Sequence, residues 1–237
     1  MIAELRDILF LDIETVAITN NYQSLDERLK VQWSRKASYF KKEEEKSDEA
    51  FFHEKAGIYA EFGKIICISI GKFFDHESGE LGLKTKAFYG HEEAALLMEF
   101  KTMLEKLGEG LKLCAHNGKE FDFPYLCRRM LINGIALPSA LNLSGKKSWQ
   151  VEHLDTLELW KFGDYKHYTS LDLLASIFNI PSSKSDIDGS KVNSVYYESG
   201  DLEKIKNYCT ADVSVLAQLF LKMKCLPTVK AENVITT

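Results

Sequence analysis

The apolar residues of this chain fall into short runs separated by charged or turn-forming residues, and these runs predict strands. The clearest is Ile8 to Leu11, where four consecutive apolar residues end at Asp12. Glu77, Ser78 and Gly79 form a turn signal between two other runs. The strands expected on this basis are residues 8–11, 64–74, 84–89, 111–115 and 151–159.

Apolar residues at three- and four-residue spacing predict helices between and after these strands. Ser170 and Asp201 each stand where the N-cap of a helix is expected. Early strands that can pair as a hairpin, followed by alternating helices, predict an α/β fold in which helices flank a mixed β-sheet. The predicted helices are residues 92–107, 123–131, 170–178 and 201–223.

Residues 20–62 differ from the rest of the chain because they are rich in Lys, Glu and Gln. They predict a charged helical insertion after the first strand, largely solvated and packed on the edge of the domain. The mixed-charge run 41–46 is typical of a solvated face. The sequence shows no internal repeat and no second domain, so residues 1–237 are expected to form a single domain.

The cysteine content and the apolar stretches favour a reduced, cytoplasmic protein. The five cysteines are an odd number and form no CxxC pair. Glu4, Arg6 and Asp7 interrupt the first apolar residues, which argues against a signal peptide. The longest apolar stretch, Ile65 to Ile70, is too short to span a bilayer, so no membrane association is expected.

The formal net charge of −5 argues against a protein that binds duplexes by neutralising phosphates. It is compatible with an enzyme whose carboxylates recruit metal ions, because the ions supply the positive charge locally. Phosphodiester hydrolysis by two metal ions requires such a cluster of carboxylates, and hard cations such as Mg²⁺ prefer oxygen ligands.

Asp12 and Glu14 are the first candidates for this cluster. Residues i and i+2 of a strand point to the same face, so both carboxylates are expected to emerge together at the end of the first strand. Other Asp-x-Glu pairs occur in the chain, but this one follows a run that must be buried. The alternative is a strand-end turn with two solvated acids.

Two further sequence patterns each contain an acid that could join this carboxylate cluster. Asp122 closes the pattern Asn117-x-x-x-Phe121-Asp122 and is expected in the first turn of a helix, where an acid is also common for electrostatic reasons alone. Tyr208 and Asp212 are four residues apart, which places them on one face of a helix. The pair Tyr168 and Asp172 has the same spacing and competes with them.

Read in order, LDIET (11–15), AHNGKEFDFPYL (115–126) and YCTAD (208–212) resemble the three exonuclease motifs of the DEDD (DnaQ-like) superfamily, in its tyrosine subclass. The nearest resemblance is to the proofreading exonuclease domain of family-B DNA polymerases. It extends from residue 8 to about 220, and the insertion fits it least. The resemblance implies a ribonuclease H-like fold with that insertion after the first strand.

The resemblance also implies a role for each residue of the motifs. Asp12 would bridge two divalent metal ions, Mg²⁺ or Mn²⁺. Glu14 and Asp212 would complete the site that holds the attacking water, and Asp122 would act through the second ion or through water. Tyr208 would orient the attacking water, since a tyrosine with a pKa near 10 is a poor base at neutral pH. Thr15 and Asn117 are candidates for contacting the terminal nucleotide.

Several nearby residues have a second interpretation. Asp155 is favoured as a hydrogen-bonded structural acid over a metal ligand, and Lys119 as a solvated lysine over a phosphate contact. Residues 186–189 (DIDG) predict a turn, because the later ligands of a calcium loop are missing. Aromatic residues interleaved with cations suit stacking on single-stranded bases, although core packing is the commoner role. These aromatic residues are Trp149, Trp160, Tyr165 and Tyr168.

The function predicted from these motifs is a stand-alone 3′–5′ exonuclease that trims the 3′ end of single-stranded DNA. The chain lacks room for a polymerase, so any proofreading would occur in trans. An exoribonuclease on the same fold is the second possibility, because contacts to a 2′-hydroxyl are not visible in a sequence. A non-catalytic nucleic-acid-binding module is the third, and the presence of all four acids and the tyrosine argues against it.

Overall fold

A mixed β-sheet runs through the centre of the protein. The computed structural model describes residues 2–41, 44–77, 79–108, 110–164, 168–183 and 187–237. In these residues the sheet has six strands in the order β5-β4-β1-β2-β3-β6. The strands are β1 (Ile8–Ala17), β2 (Gly63–Asp75), β3 (Leu81–Tyr89), β4 (Lys112–Ala115), β5 (Leu154–Asp155) and β6 (Val234–Thr236).

Antiparallel pairs join β1 to β2 and β2 to β3, whereas β1–β4, β4–β5 and β3–β6 are parallel. The predicted mixed sheet flanked by helices is therefore confirmed. The helices are α1 (Ile2–Leu5), α2 (Glu27–Phe40), α3 (Asp48–Lys55), α4 (Glu93–Leu107), α5 (Asp122–Ile132), α6 (Thr156–Lys161), α7 (Leu171–Ile177), α8 (Val192–Ser194, followed by a π-helical turn at Val195–Ser199) and α9 (Leu202–Met223).

The two faces of β1 are buried against different helices. Leu9, Leu11 and Ile13 pack with residues of α4 and α5 on one face of the sheet. Ile8 and Phe10 pack on the other face, with residues of α9. Because side chains alternate along a strand, the next even-numbered residues of β1 also point towards α9. The alternation places the two acids of the first motif on that face.

Both predicted helix caps on the α7 and α9 segments are present. The side chain of Ser170 accepts a hydrogen bond from the backbone N–H of Leu173, and that of Asp201 accepts one from Lys204. The turn signal at residues 77–79 includes Ser78, which lies outside the described residues.

The strand predicted at 151–159 is wrong. Only Leu154 and Asp155 pair with β4, and helix α6 begins at Thr156. The Asp155 carboxylate accepts hydrogen bonds from the backbone N–H groups of Leu157 and Glu158, and so caps this helix. A side-chain cap at this position stabilises a helix start, which ends the strand after two residues.

The region 20–62 is helical as predicted, but the expectation that it is largely solvated is wrong. Helices α2 and α3 enclose an aromatic cluster in which Trp33, Phe51 and Phe52 are fully buried. The indole N–H of Trp33 donates to the carbonyl oxygen of Asp48 at 2.7 Å. The charged residues cover this cluster, and part of the charge run, residues 42 and 43, lies outside the described residues.

We expect Trp33→Ala to lower the free energy of unfolding by about 3–5 kcal/mol, because it empties the centre of the aromatic cluster. Thermal or urea unfolding measures this loss. Trp149→Ala is the matched control, since Trp149 is 74% exposed, and a change within about 0.5 kcal/mol is expected there. A separate unfolding transition for residues 20–62 would contradict the prediction that the chain is a single domain.

Candidate active site

Asp12 and Glu14 lie in the interior of β1 rather than at its end. The strand continues to Ala17 because β2 pairs with it along that whole length. Strand β4 pairs with β1 only from Ile8 to Phe10. Beyond Phe10, at the level of the two acids, the edge of β1 that faces β4 therefore has no strand paired to it. Glu14 is buried and Asp12 is partly exposed.

Asp122 occupies the open side of β1. It is the first residue of α5 and is buried, with 4% of its surface exposed. Its carboxylate accepts hydrogen bonds from its own N–H and from the backbone N–H of Ile13, while burial raises its pKa to about 7. Asp122 therefore takes the place of a neighbouring strand at Ile13, the residue that separates the two acids of β1.

A tight turn brings Asp122 to this position. Asn117 adopts a left-handed backbone with φ of 64°. Gly118 is required next to it, because a Cβ there would lie 2.3 Å from the Cβ of Ala115. The carboxylate of Asp155 accepts the N–H groups of Asn117 and Lys119 at 2.9 and 3.1 Å. Asp155 thus holds the turn with the same carboxylate that caps α6, in the structural role expected for it.

Helix α9 brings the third motif over the same face of the sheet. Tyr208 and Asp212 are one turn apart, and their side chains are hydrogen-bonded to each other. Burial raises the pKa of Tyr208 far above its usual value, and the negative charges of Asp212 and Glu14 raise it further. The Tyr208 hydroxyl is therefore neutral at physiological pH and donates a hydrogen bond to the Asp212 carboxylate.

The negative charges of the site oppose one another. Burial raises the pKa of Asp12 well above its ordinary value, and the charges of Asp212 and Asp122 add to this. The pKa of Glu14 is raised by burial and by Asp12 and Asp212. Within the described residues, no salt bridge reaches Asp12, Glu14 or Asp122. A bound cation would relieve this repulsion.

Cys209 is a member of the site that the motif analysis missed. Its thiol donates to a carboxylate oxygen of Asp12 at 3.3 Å and contacts the backbone oxygen of Asp12 at 3.4 Å. Possible ligand atoms of Asp12, Glu14 and Cys209 lie within 4.8 Å of one another. The i, i+3 spacing of Cys209 and Asp212 on a helix was the available signal.

An open cavity of about 340 Å³ lies beside Asp12, and its size suits a small ligand group. Its lining includes Asp12, Tyr208 and Asp212, together with Ser183, whose hydroxyl donates to Asp212. The competing pair, Tyr168 and Asp172, lines the same cavity, although Asp172 accepts a hydrogen bond from Ser182 at 2.6 Å.

The other sequence candidates lie in varied surroundings. Thr15 is partly exposed and hydrogen-bonds to the hydroxyl of Tyr125. Lys119 is largely buried and pairs with Glu158 at 2.8 Å, so the expectation of a solvated lysine is wrong.

Among the aromatic candidates, Trp160 packs against Phe178 with ring centroids 5.9 Å apart. The ammonium of Lys147 lies 4.9 Å from the ring of the exposed Trp149. Tyr165 and Asp186 lie outside the described residues.

We expect the metal-free protein to lose stability as the pH rises from about 4 to 7. The pKa of Asp122 is about 7 in the folded state and about 4 in an unfolded chain, so the folded state holds the extra proton in this window. Thermal unfolding across this pH range measures the effect, which should shrink in Asp122→Asn. With Mn²⁺ the trend should reverse, since metal ligands must be deprotonated. Without metal, an equal pH dependence of stability in wild type and in Asp122→Asn would contradict the assignment of this effect to Asp122.

Residues 58–233 match the model of a family described as a predicted 3′–5′ exonuclease related to the exonuclease domain of PolB. The family B DNA polymerase from the hyperthermophilic archaeon Pyrobaculum calidifontis has a similar fold, with a TM-score of 0.51 and 13% identity. The likeness covers 91% of this chain and 24% of the polymerase chain. No curated protein matches the sequence.

The sheet order and the flanking helices define a ribonuclease H-like α/β protein, similar in fold to a polymerase exonuclease domain. The chain belongs to the family of predicted 3′–5′ exonucleases related to the exonuclease domain of PolB. Membership of an exonuclease family implies a nucleic acid substrate. The matched residues include Asp122, Tyr208 and Asp212, whereas Asp12 and Glu14 precede them. None of the described helices has the length and apolar character needed to cross a membrane.

Proposed function

We propose that this chain hydrolyses phosphodiester bonds from the 3′ end of single-stranded DNA, as a 3′–5′ exonuclease of the DEDD tyrosine subclass that uses two divalent metal ions. The observation that carries the proposal is that three distant segments bring their acids into one cluster, in which the charges act on one another. Strand β1 contributes Asp12 and Glu14, the start of α5 contributes Asp122, and α9 contributes Tyr208 and Asp212.

The donor set fits hard divalent cations. Asp12, Glu14, Asp122 and Asp212 offer carboxylate oxygens, which Mg²⁺ and Mn²⁺ prefer. Desolvation and mutual repulsion raise the pKa of Asp12 and Glu14, so a cation would stabilise the deprotonated acids. We propose that Asp12, Glu14, Asp122 and Asp212 together would hold the two ions, and that Asp12, whose pKa is raised by both Asp212 and Asp122, would be the central ligand.

Bound divalent ions would supply positive charge to the phosphate and acidify the attacking water. The role proposed for Tyr208 follows from its own protonation state. With a raised pKa the hydroxyl keeps its proton and does not act as a base, and its oxygen would accept a hydrogen bond that orients the attacking water. Its hydrogen bond to Asp212 fixes the direction of the hydroxyl.

Thr15 and Asn117 are proposed to contact the terminal nucleotide. Both are partly exposed and lie in or next to two of the three segments that carry the acids. Asn117 is held in its turn by the hydrogen bond from its N–H to Asp155, so its position is fixed before substrate binds. Such pre-organisation reduces the entropic cost of binding.

The experiment that tests the proposal compares 5′-labelled single-stranded DNA with RNA of the same sequence and with a blunt DNA duplex, all with Mn²⁺. A ladder that shortens from the 3′ end, fastest on single-stranded DNA, is expected. Faster shortening of RNA would identify an exoribonuclease instead. Binding of folded protein to all strands without cleavage would overturn the enzymatic proposal and leave a nucleic-acid-binding module.

A further inference from the structure

Helix α2 and the residues directly after it concentrate positive charge in an acidic chain. Residues 28–42 contain six lysines and arginines and no acid, whereas the whole chain has 30 basic and 35 acidic residues. Basic residues clustered along one helix are the electrostatic footprint expected of a contact with nucleic acid. The helix precedes residue 58, where the match to the family model begins, and the roles proposed above do not use it.

Four exposed residues of α2 form one stripe along the helix. They are spaced by four, three and four residues, which places them on the same face. The stripe is about 16 Å long, because a helix rises about 1.5 Å per residue. We call these residues the basic stripe: Arg28, Gln32, Arg35 and Tyr39.

The two arginines of the basic stripe are not neutralised by neighbouring acids. Glu27 pairs with Lys30 at 2.8 Å, and Asp48 pairs with Lys41 at 2.7 Å. Within the part of the chain that the structure describes, no ion pair reaches either stripe guanidinium. An exposed guanidinium forms paired hydrogen bonds to phosphate oxygens, which makes arginine well suited to nucleic-acid backbones.

The apolar face of α2 is turned away from the basic stripe. Trp33 and Ala37 are fully buried in the aromatic cluster of the insertion, and Phe40 packs against that cluster. A basic amphipathic helix binds a membrane by burying its apolar face in the lipid, but this face is already used inside the protein. The basic stripe offers guanidinium, amide and phenol groups, which can donate hydrogen bonds to phosphates. Nucleic acid therefore fits this surface better than lipid does.

The insertion is fixed to the strand that carries the first two acids. The N–H of Ala17 in β1 donates to the side-chain oxygen of Asn193 at 2.9 Å, and the amide nitrogen of Asn193 donates to the carbonyl oxygen of His53 at 3.1 Å. Ala17 also belongs to the aromatic cluster. It stands three residues beyond Glu14, which is about 10 Å along a strand. The basic stripe is therefore held in place relative to the acids.

We propose that the basic stripe of α2 binds the sugar-phosphate backbone of the single DNA strand whose 3′ end lies at the acids. The inference rests on the proposed function for the position of that 3′ end. Phosphate contacts carry no sequence information, so the stripe would raise the affinity for any strand long enough to reach it. Tyr39, which is 69% exposed, offers a ring on which a base can stack.

The first measurement needs no cleavage. Fluorescence anisotropy gives the Kd of a labelled single-stranded DNA in EDTA at several salt concentrations. Arg28→Gln/Arg35→Gln should weaken binding about tenfold or more, the loss expected for charge-assisted hydrogen bonds. The slope of log Kd against log salt concentration should fall by about 1.4, because each phosphate contact on a single strand contributes about 0.7. The matched control, Lys84→Gln/Lys106→Gln, removes the same charge at exposed lysines of β3 and α4 and should keep the wild-type slope.

The second measurement connects the basic stripe to the acids. It compares kcat/KM with Mn²⁺ for a short DNA strand and for a strand several times longer with the same 3′ sequence. Wild type and the lysine control should prefer the long strand, because only that strand reaches both the acids and the stripe. Arg28→Gln/Arg35→Gln should lose this preference. Unchanged Tm values show that the variants stay folded.

An equal loss of affinity in the two double variants would overturn the inference, and so would an unchanged salt slope in Arg28→Gln/Arg35→Gln. Wild type that binds phosphatidylserine vesicles more tightly than DNA would assign the basic stripe to a membrane surface instead. A preference for long strands that survives in the arginine variant would separate the stripe from the cleaved strand and overturn the inference as well. Weaker DNA binding by that variant, with no cleavage by wild type, would support the stripe and overturn only the proposed function.

Discussion

Asp12→Asn is expected to lower kcat for 3′-end trimming by about a thousandfold or more while the protein stays folded. Asp12 interacts with each of the other acids, since burial and the charges of Asp212 and Asp122 raise its pKa and its own charge raises that of the buried Glu14. Removing a charge shared by two metal ions costs several kcal/mol of transition-state stabilisation. Single-turnover cleavage of a 5′-labelled strand measures the loss.

Asp75→Asn is the matched control for Asp12→Asn. Asp75 is an exposed acid paired with Arg6, and a surface pair of this kind contributes little, so its rate should equal that of wild type. Without metal, Asp12→Asn should be at least as stable as wild type at pH 8, because the substitution removes a negative charge that the charges of Asp212 and Asp122 oppose. Activity within a factor of ten of wild type would contradict the role assigned to Asp12.

Tyr208→Phe is expected to lower kcat by about a hundredfold and to leave KM nearly unchanged. The change removes only the hydroxyl that is proposed to orient the attacking water, and small losses of alignment cost about that much. The increase in Tm caused by Mn²⁺ should be retained, because the four carboxylates remain. Steady-state kinetics and thermal unfolding measure these two properties.

Tyr89→Phe is the control for Tyr208→Phe. The Tyr89 hydroxyl donates to Glu203 at an exposed position, so the control removes the same kind of hydrogen bond away from the cavity. Its kcat should be unchanged. A Tyr208→Phe protein with wild-type kcat would transfer the third motif to the competing pair, Tyr168 and Asp172.

Long apolar runs made most of the sheet predictable from the sequence, and local capping made one part unpredictable. The strands that became β1, β2, β3 and β4 follow apolar runs whose neighbours are charged or turn-forming. Asp155 ended a predicted strand after two residues, because the backbone groups that its carboxylate would cap are not evident in a linear pattern. Strand β6 is three residues long and gives no periodic signal.

The insertion shows why composition alone misleads. Its Lys and Glu residues predicted a solvated segment, yet the aromatic residues between them meet around Trp33. A few large side chains bury enough surface to form a core, even where most residues are charged. The family model begins at residue 58, so most of this insertion precedes the matched part of the chain.

The acids could be nominated from their motifs, but their geometry depends on the fold. The middle of β1, the start of α5 and the middle of α9 are far apart in sequence and meet because β4 pairs with only the first part of β1. The position of Cys209 also depends on the fold, because α9 packs across β1 and brings its thiol to Asp12. Tyr168 reaches the cavity through the contacts of His116, which no spacing rule describes.

The most direct test of the central claim is cleavage of a 5′-labelled single-stranded DNA by protein freed of metal with EDTA and then supplied with Mg²⁺ or Mn²⁺. We predict no cleavage in EDTA and, on adding either ion, a ladder that shortens one nucleotide at a time from the 3′ end, absent in Asp12→Asn. Cleavage that continues in EDTA, or that is as fast in Asp12→Asn as in wild type, would contradict a metal-dependent exonuclease site at these acids.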